Sequence, residues 1–192
     1  MRLTRRLVVA GGAVGGAAAA VGLIRIVVDG REEAVTPAEA RHRGAALRSL
    51  SAAEAATLER LGEVLLPGAG EAGIVHFVDH HLSIPPAGSL LTVRYLDVPP
   101  PYADFYRAGL AALDAHATKL RGRGFAALPP GEAHELVAAI AAAPPRGWQG
   151  PPSPLLYFAV RSDAVDVVYG TQAGFERLGI PYMAHLEPET PW

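Results

Sequence analysis

Apolar residues recur three or four apart along most of this chain, and the runs break at proline, glycine and capping residues, a pattern that predicts helices. Thr36-Pro37-Ala38-Glu39 combines an N-cap, a proline at the first helical position and a glutamate three residues on. Ser51-Ala52-Ala53-Glu54 repeats the capping-box pattern. Leu58, Leu61 and Leu65 then share one face until Pro67 stops the helix. A third helix is expected from about Glu71 to Leu82, with Ile74, Phe77, Val78 and Leu82 inward and histidines on the other face. Tyr106, Leu110, Leu113, Ala117 and Leu120 place another between Tyr102 and Leu120, ended by Gly122 and Gly124. Pro129-Pro130-Gly131-Glu132 opens a helix through Ala143, and Ser153-Pro154 opens one whose stripe is Leu156, Val160, Ala164 and Val167, up to a stop at Tyr169-Gly170.

Two stretches depart from this period. Leu91-Thr92-Val93-Arg94-Tyr95 alternates with period two among prolines at 85, 86, 99, 100 and 101, which predicts an extended segment or edge strand. The stretch 144–154 reads as a proline-rich loop, and the end of the chain, with Pro181, Pro188 and Pro191, reads as an extended tail. Helices joined by short turns, with no internal repeat, make the fold class all-α: a single-domain irregular bundle of about six helices.

The first thirty residues follow another rule. Arg2, Arg5 and Arg6 precede an uncharged run from Leu7 to Ile24, a basic region followed by an apolar one. Thr4-Arg5-Arg6-Leu7-Val8-Val9 has the arrangement of a twin-arginine export signal, with Arg5 and Arg6 as its paired arginines. The run is long enough to span a bilayer, but 11 of its 18 residues are Gly or Ala, so it is only weakly hydrophobic, and Ala18 to Ala20 offer a cleavage site. The glycines at 11, 12, 15 and 16 do not fit a dinucleotide-binding loop, because none has partners at both +2 and +5. Residues 1–30 are therefore expected to be signal and linker, with Arg31 to Glu33 the polar end of that linker, and residues 31–192 the helical domain.

Composition narrows the chemistry. Lys and Arg number 17 against 19 for Asp and Glu, so no basic excess offers a surface to nucleic acid. Cysteine is absent, which excludes thiolate nucleophiles, disulfides, iron–sulfur ligation and covalent c-type haem attachment. There is no Gly-x-Ser-x-Gly elbow and no P-loop. The densest titratable cluster is His76-Phe77-Val78-Asp79-His80-His81. On a helix, His76 and His80 share a face as zinc ligands do, but Phe77 stands where a zinc protease carries its glutamate. A solvated or interfacial histidine face is the expected alternative. Asp163 and Asp166, three apart on the last helix, are expected on its wet side.

Leu65-Leu66-Pro67, then Ala72-Gly73-Ile74-Val75-x-Phe77-Val78-Asp79, the run from Tyr106 to Asp114, and Gly179-Ile180-Pro181-Tyr182 together resemble the gluconate 2-dehydrogenase subunit 3 family. The resemblance runs from about Ser51 to Trp192, and a twin-arginine leader is also typical of that family. It implies a non-catalytic small subunit that binds a large subunit of the glucose-methanol-choline (GMC) oxidoreductase type. That partner carries FAD and oxidises a sugar or polyol, while a cytochrome c subunit or other acceptor takes the electrons. No cofactor is implied in this chain. Its role would be maturation, export and stability of the flavin subunit at the periplasmic face, with the membrane met only through the signal or the complex. Trp148, Tyr169, Tyr182, Met183, His185 and Trp192 are the aromatic and apolar candidates for anchoring the partner. Two other functions remain open: an exported metal-binding enzyme built on His76, Asp79 and His80, and a helical scaffold anchored by an uncleaved leader.

Overall fold

The computed structural model describes residues 22–28 and 30–181. It is a helical single-domain fold, with seven α-helices and a two-stranded sheet among the described residues. The strands β1 (Ile24–Val28) and β2 (Arg31–Val35) form an antiparallel hairpin that pairs Ile24 with Val35 and Val28 with Arg31. The alternation of β1 buries Ile24 and Ile26 and turns Arg25 and Val27 to solvent. The stretch Arg31 to Glu33, expected as linker, is thus strand, and the division between residues 30 and 31 falls inside the hairpin. A charged segment pairs as readily as an apolar one when its neighbour supplies the buried face.

Helix α1 (Pro37–His42) starts as its sequence predicts, with the Thr36 hydroxyl accepting the Glu39 N–H at 3.1 Å. Helix α2 (Ala52–Leu65) carries the full capping box: Ser51 Oγ accepts the Glu54 N–H, and Glu54 accepts the Ser51 N–H at 2.7 Å. Helix α3 (Ile74–Ser83) begins at Gly73, whose φ of 85° is left-handed. A Cβ there would lie 2.2 Å from the Pro37 carbonyl oxygen, so α1 docks on α3 at a distance that only glycine permits.

Between α3 and α4 (Tyr102–Arg121) the expected edge strand is replaced by a 3-10 turn over Thr92–Tyr95. Among the described residues no strand lies beside it: the Arg94 and Leu96 N–H groups close on the Leu91 and Val93 carbonyls, the Thr92 N–H reaches Asp163, and Leu91 and Val93 are fully buried. Helix α5 (Pro130–Ala142) follows a 3-10 turn at Phe125–Ala127, and α6 (Ser153–Tyr169) follows the proline-rich loop. The Ser153 hydroxyl is not an N-cap; it donates to the Ile140 carbonyl at 2.8 Å and ties α6 to the end of α5. Beyond Gly170 the start of the expected tail is a short helix, α7 (Gln172–Arg177), capped by Thr171, whose hydroxyl accepts the Gly174 N–H at 3.0 Å.

The core joins Leu58 and Leu61 of α2, Ile74 and Val78 of α3, Tyr106, Leu110 and Leu113 of α4, Ile140 of α5 and Leu156 of α6 around Phe125. Helix α6 is central, packing on α2, α3, α4, α5, α7 and the 3-10 turn before α4. At its crossing with α4, a Cβ on Gly109 would meet Leu156 Cδ1 at 2.6 Å. A second, smaller cluster of Ile24, Ile26, Val35 and Ala40 joins the hairpin to α1, apart from the main core. Among the described residues no helix is long and apolar enough to cross a membrane.

Candidate functional site

Helix α3 is buried on nearly every side, and its titratable face meets neither solvent nor a shared centre. His76 Nε2 lies 3.1 Å from the Ala45 carbonyl oxygen. Both Asp79 oxygens are occupied: one accepts the Arg48 N–H, the other the Ser49 and Leu50 N–H groups, each at 2.8 Å. His80 Nδ1 accepts the Arg25 N–H of β1 at 3.4 Å, and His81 Nδ1 accepts the Leu90 N–H at 3.3 Å. Each side chain therefore serves the backbone of a different segment: the stretch after α1, the lead-in to α2, the hairpin, and the loop toward α4. This is how an all-α core can carry polar residues, since a buried group is tolerated when its hydrogen bonds are made.

The expected solvated histidine face is thus a set of internal ties. His76 and His80 stand one turn apart but address Ala45 and Arg25, and Asp79 is saturated with backbone donors. No group of three or more His, Asp and Glu among the described residues is arranged to hold a metal ion. Burial sets the proton affinities. It lowers the His80 pKa, helped by Arg48 and opposed by Asp79, and it lowers that of His81 to about 4, helped by His80. His81 is 4% exposed, and its Nε2 is buried without a hydrogen-bond partner.

The second polar centre lies on α6. Asp163 is fully buried, whereas Asp166 is exposed as expected of both. Asp163 accepts the Tyr106 hydroxyl from α4 and the Thr92 N–H at 3.0 Å. Burial pushes its pKa up to about 6, against the pull of those two donors, and the Tyr106 hydroxyl is pushed well above its usual range by burial and the facing carboxylate. The spacing held a usable signal: Asp163 falls in the same stripe as Leu156, Val160, Ala164 and Val167. A carboxylate on the core face of a helix implies donors from elsewhere in the fold.

Of the anchoring candidates, Trp148 is half-buried against the main core; its indole N–H donates to the Pro151 carbonyl at 2.7 Å and its ring meets His116 edge-on. Tyr169 ends α6, half-buried on the same core. Tyr182, Met183, His185 and Trp192, with Arg5 and Arg6, lie outside the described residues. The surface offers apolar groups that the sequence reading did not single out. Phe158 and Val165, seven apart on the outward face of α6, are 48% and 40% exposed. Tyr95 is 67% exposed beneath the Arg94 guanidinium. Arg161 and Asp166 are exposed beside Phe158 and Val165, so this face of α6 sets an aromatic and an aliphatic side chain among charges.

The model of the family described as Gluconate 2-dehydrogenase subunit 3 matches residues 52–185, which is more than half of the chain. The chain belongs to the gluconate 2-dehydrogenase subunit 3 family. The match takes in α2 to α7, with Asp79, His80, His81, Tyr106 and Asp163, whereas the hairpin and α1 precede it. It is the family of one subunit in a multi-subunit dehydrogenase. Neither the curated proteins nor the solved structures yielded a match.

Proposed function

We propose that this chain is the non-catalytic small subunit of an exported, FAD-dependent sugar or polyol dehydrogenase complex, and that it supports maturation, twin-arginine export and stability of a GMC-type flavin subunit. The observation that carries the reading is the family match over residues 52–185. Exposed Phe158 and Val165 on α6, with Arg161 and Asp166 beside them, support it, because an aromatic and aliphatic centre within a charged rim is the make-up of a protein–protein interface. The buried carboxylates give it further support, since both oxygens of Asp79 and of Asp163 are engaged in holding the fold. FAD then belongs to the partner, with electrons passing to a cytochrome c subunit or other acceptor outside this chain. Tyr182, Met183, His185 and Trp192 supply further anchors for the partner, and Arg5 and Arg6 address the pair to the export machinery.

Co-expression with a GMC-type flavoprotein tests this. The chain is expected to co-purify with a flavin-loaded partner, and Arg5→Lys with Arg6→Lys is expected to leave dehydrogenase activity in the cytoplasm. Oxidation of a sugar by the isolated chain with a dye acceptor would overturn the proposal.

A further inference from the structure

The hairpin β1–β2 rests on the helical body through a small, separable contact. Its buried side chains, Ile24, Ile26 and Val35, cluster with Ala40 and not with the main core. A two-stranded hairpin has little stability of its own, so its order depends on this docking. Among the described residues, a single side-chain hydrogen bond ties α3 to β1: His80 Nδ1 accepts the Arg25 N–H. That bond exists only while Nδ1 is unprotonated, since imidazolium donates from both nitrogens and would set an N–H against an N–H.

The surroundings of His80 make the proton unwelcome and its arrival consequential. The charges acting on it are Arg25 from β1, Arg48 from the lead-in to α2 and Asp79 from α3 itself. Asp79 is already shared among three backbone N–H groups, so it has little left to offer an imidazolium. Among the described residues, α1, α2, α6 and the Pro86–Gly88 turn bring no further charge to bear on the ring. Next in the chain, His81 has its ring centroid 5.0 Å from that of His80 and holds the Leu90 N–H in the same way. Among the described residues its Nε2 has no hydrogen-bond partner, and the charge that acts on it is that of His80. Protonating both would place two cations side by side beneath a hairpin that already carries Arg25.

We propose that His80, seconded by His81, is an acid-released latch: on acidification the hairpin β1–β2 undocks from α3 while the helical body remains folded. The device follows from the division into two clusters. Loss of the small one exposes Ile24, Ile26 and Val35 but leaves α2 to α6 packed around Phe125. The proposal is independent of the accessory-subunit reading.

Hydrogen exchange of the full chain, read by mass spectrometry from about pH 7.5 to about pH 4.5, tests it, with rates corrected for intrinsic pH dependence. Protection of residues 24–35 is expected to fall at least about tenfold relative to α2 and α6 of the same molecule. His80→Asn, whose side-chain oxygen can accept near the place of Nδ1 without titrating, is expected to keep the hairpin protected at the acid end. A constant ratio of hairpin to α6 protection across the range would overturn the latch, as would the same acid loss in a folded His80→Asn protein. An NMR titration of the wild-type imidazoles stands apart from the variant's folding. A His80 midpoint below the ordinary 6.5 is expected, and a midpoint at or above 6.5 would equally overturn the proposal.

Discussion

Helices α3 and α6 both bury ionisable side chains, and they use them differently. On α3, Asp79 takes three backbone N–H groups, and His80 and His81 take one each, from segments that would otherwise have no regular structure to satisfy them. On α6, Asp163 takes a single backbone N–H, that of Thr92, together with the Thr92 hydroxyl and the Tyr106 hydroxyl of a neighbouring helix. Both carboxylates are buried, with no cation among the hydrogen-bond donors that reach them, and burial raises the proton affinity of Asp163 toward neutrality. The difference lies in the kind of donor: Asp79 is met by three backbone N–H groups held in fixed positions, whereas Asp163 is met by one backbone N–H and the hydroxyls of Tyr106 and Thr92. Position in an apolar helix does not determine what a buried charge does; the donors brought to it do.

That contrast breaks most visibly by deletion. Asp79→Ala is expected to destabilise the protein by about 3–5 kcal/mol, because three amides lose a charged acceptor together, and a shift of the denaturant midpoint measures it. The comparison sharpens with amides: at neutral pH Asp79→Asn should cost substantially, whereas Asp163→Asn should be near neutral, since its oxygen still accepts from Thr92 and no charge remains buried. Equal losses in the two would remove the distinction drawn here.

The next effects are a pair of similar size and opposite sign. Because burial depresses His81 from 6.5 to about 4, its contribution is complete above about pH 6.5 and is lost as pH falls toward 4, by up to roughly 3 kcal/mol. Unfolding curves of wild type and His81→Asn should therefore converge on acidification. Asp163 is raised from 3.8 to about 6, so its contribution is present below 3.8 and is lost as pH rises through 6, again by up to about 3 kcal/mol. Asp163→Asn should gain on wild type between about pH 4 and pH 7, and parallel curves would show that the carboxylate is better solvated than its burial implies. The smallest expected effect is the control. Asp166→Asn, three residues along the same helix but exposed, should stay within about 0.5 kcal/mol of wild type in the same denaturation series.

Much of the framework was legible because its causes are local. Thr36 and Ser51 cap the helices they were expected to cap, Gly122 closes α4 in a left-handed conformation, and prolines bound α2 and α5. The hairpin was not legible. Ile24 to Val28 follows directly on the uncharged run that starts at Leu7, Arg31 to Glu33 has the composition of a linker, and the strand character of each exists only in pairing with the other. Leu91 to Tyr95 misled in the opposite direction, for its alternation is real but among the described residues no strand lies beside it to pair with.

The polar clusters show where the division falls. The amino-acid sequence by itself determined which faces of α2, α4, α5 and α6 are apolar, where the helices start and stop, and, through the order of several motifs, the family. Spacing placed His76 and His80 on one face and Asp163 in an apolar stripe, but it said nothing of what would stand opposite. Only the tertiary structure decided that Ala45, Arg25 and Leu90 meet the three histidines, that the amides of residues 48–50 converge on Asp79, and that Thr92 and Tyr106 reach Asp163. The physical reason is that local structure depends on backbone and side-chain preferences a few residues apart, whereas the state of a buried ionisable group depends on donors delivered by parts of the chain that come near only once the core has formed.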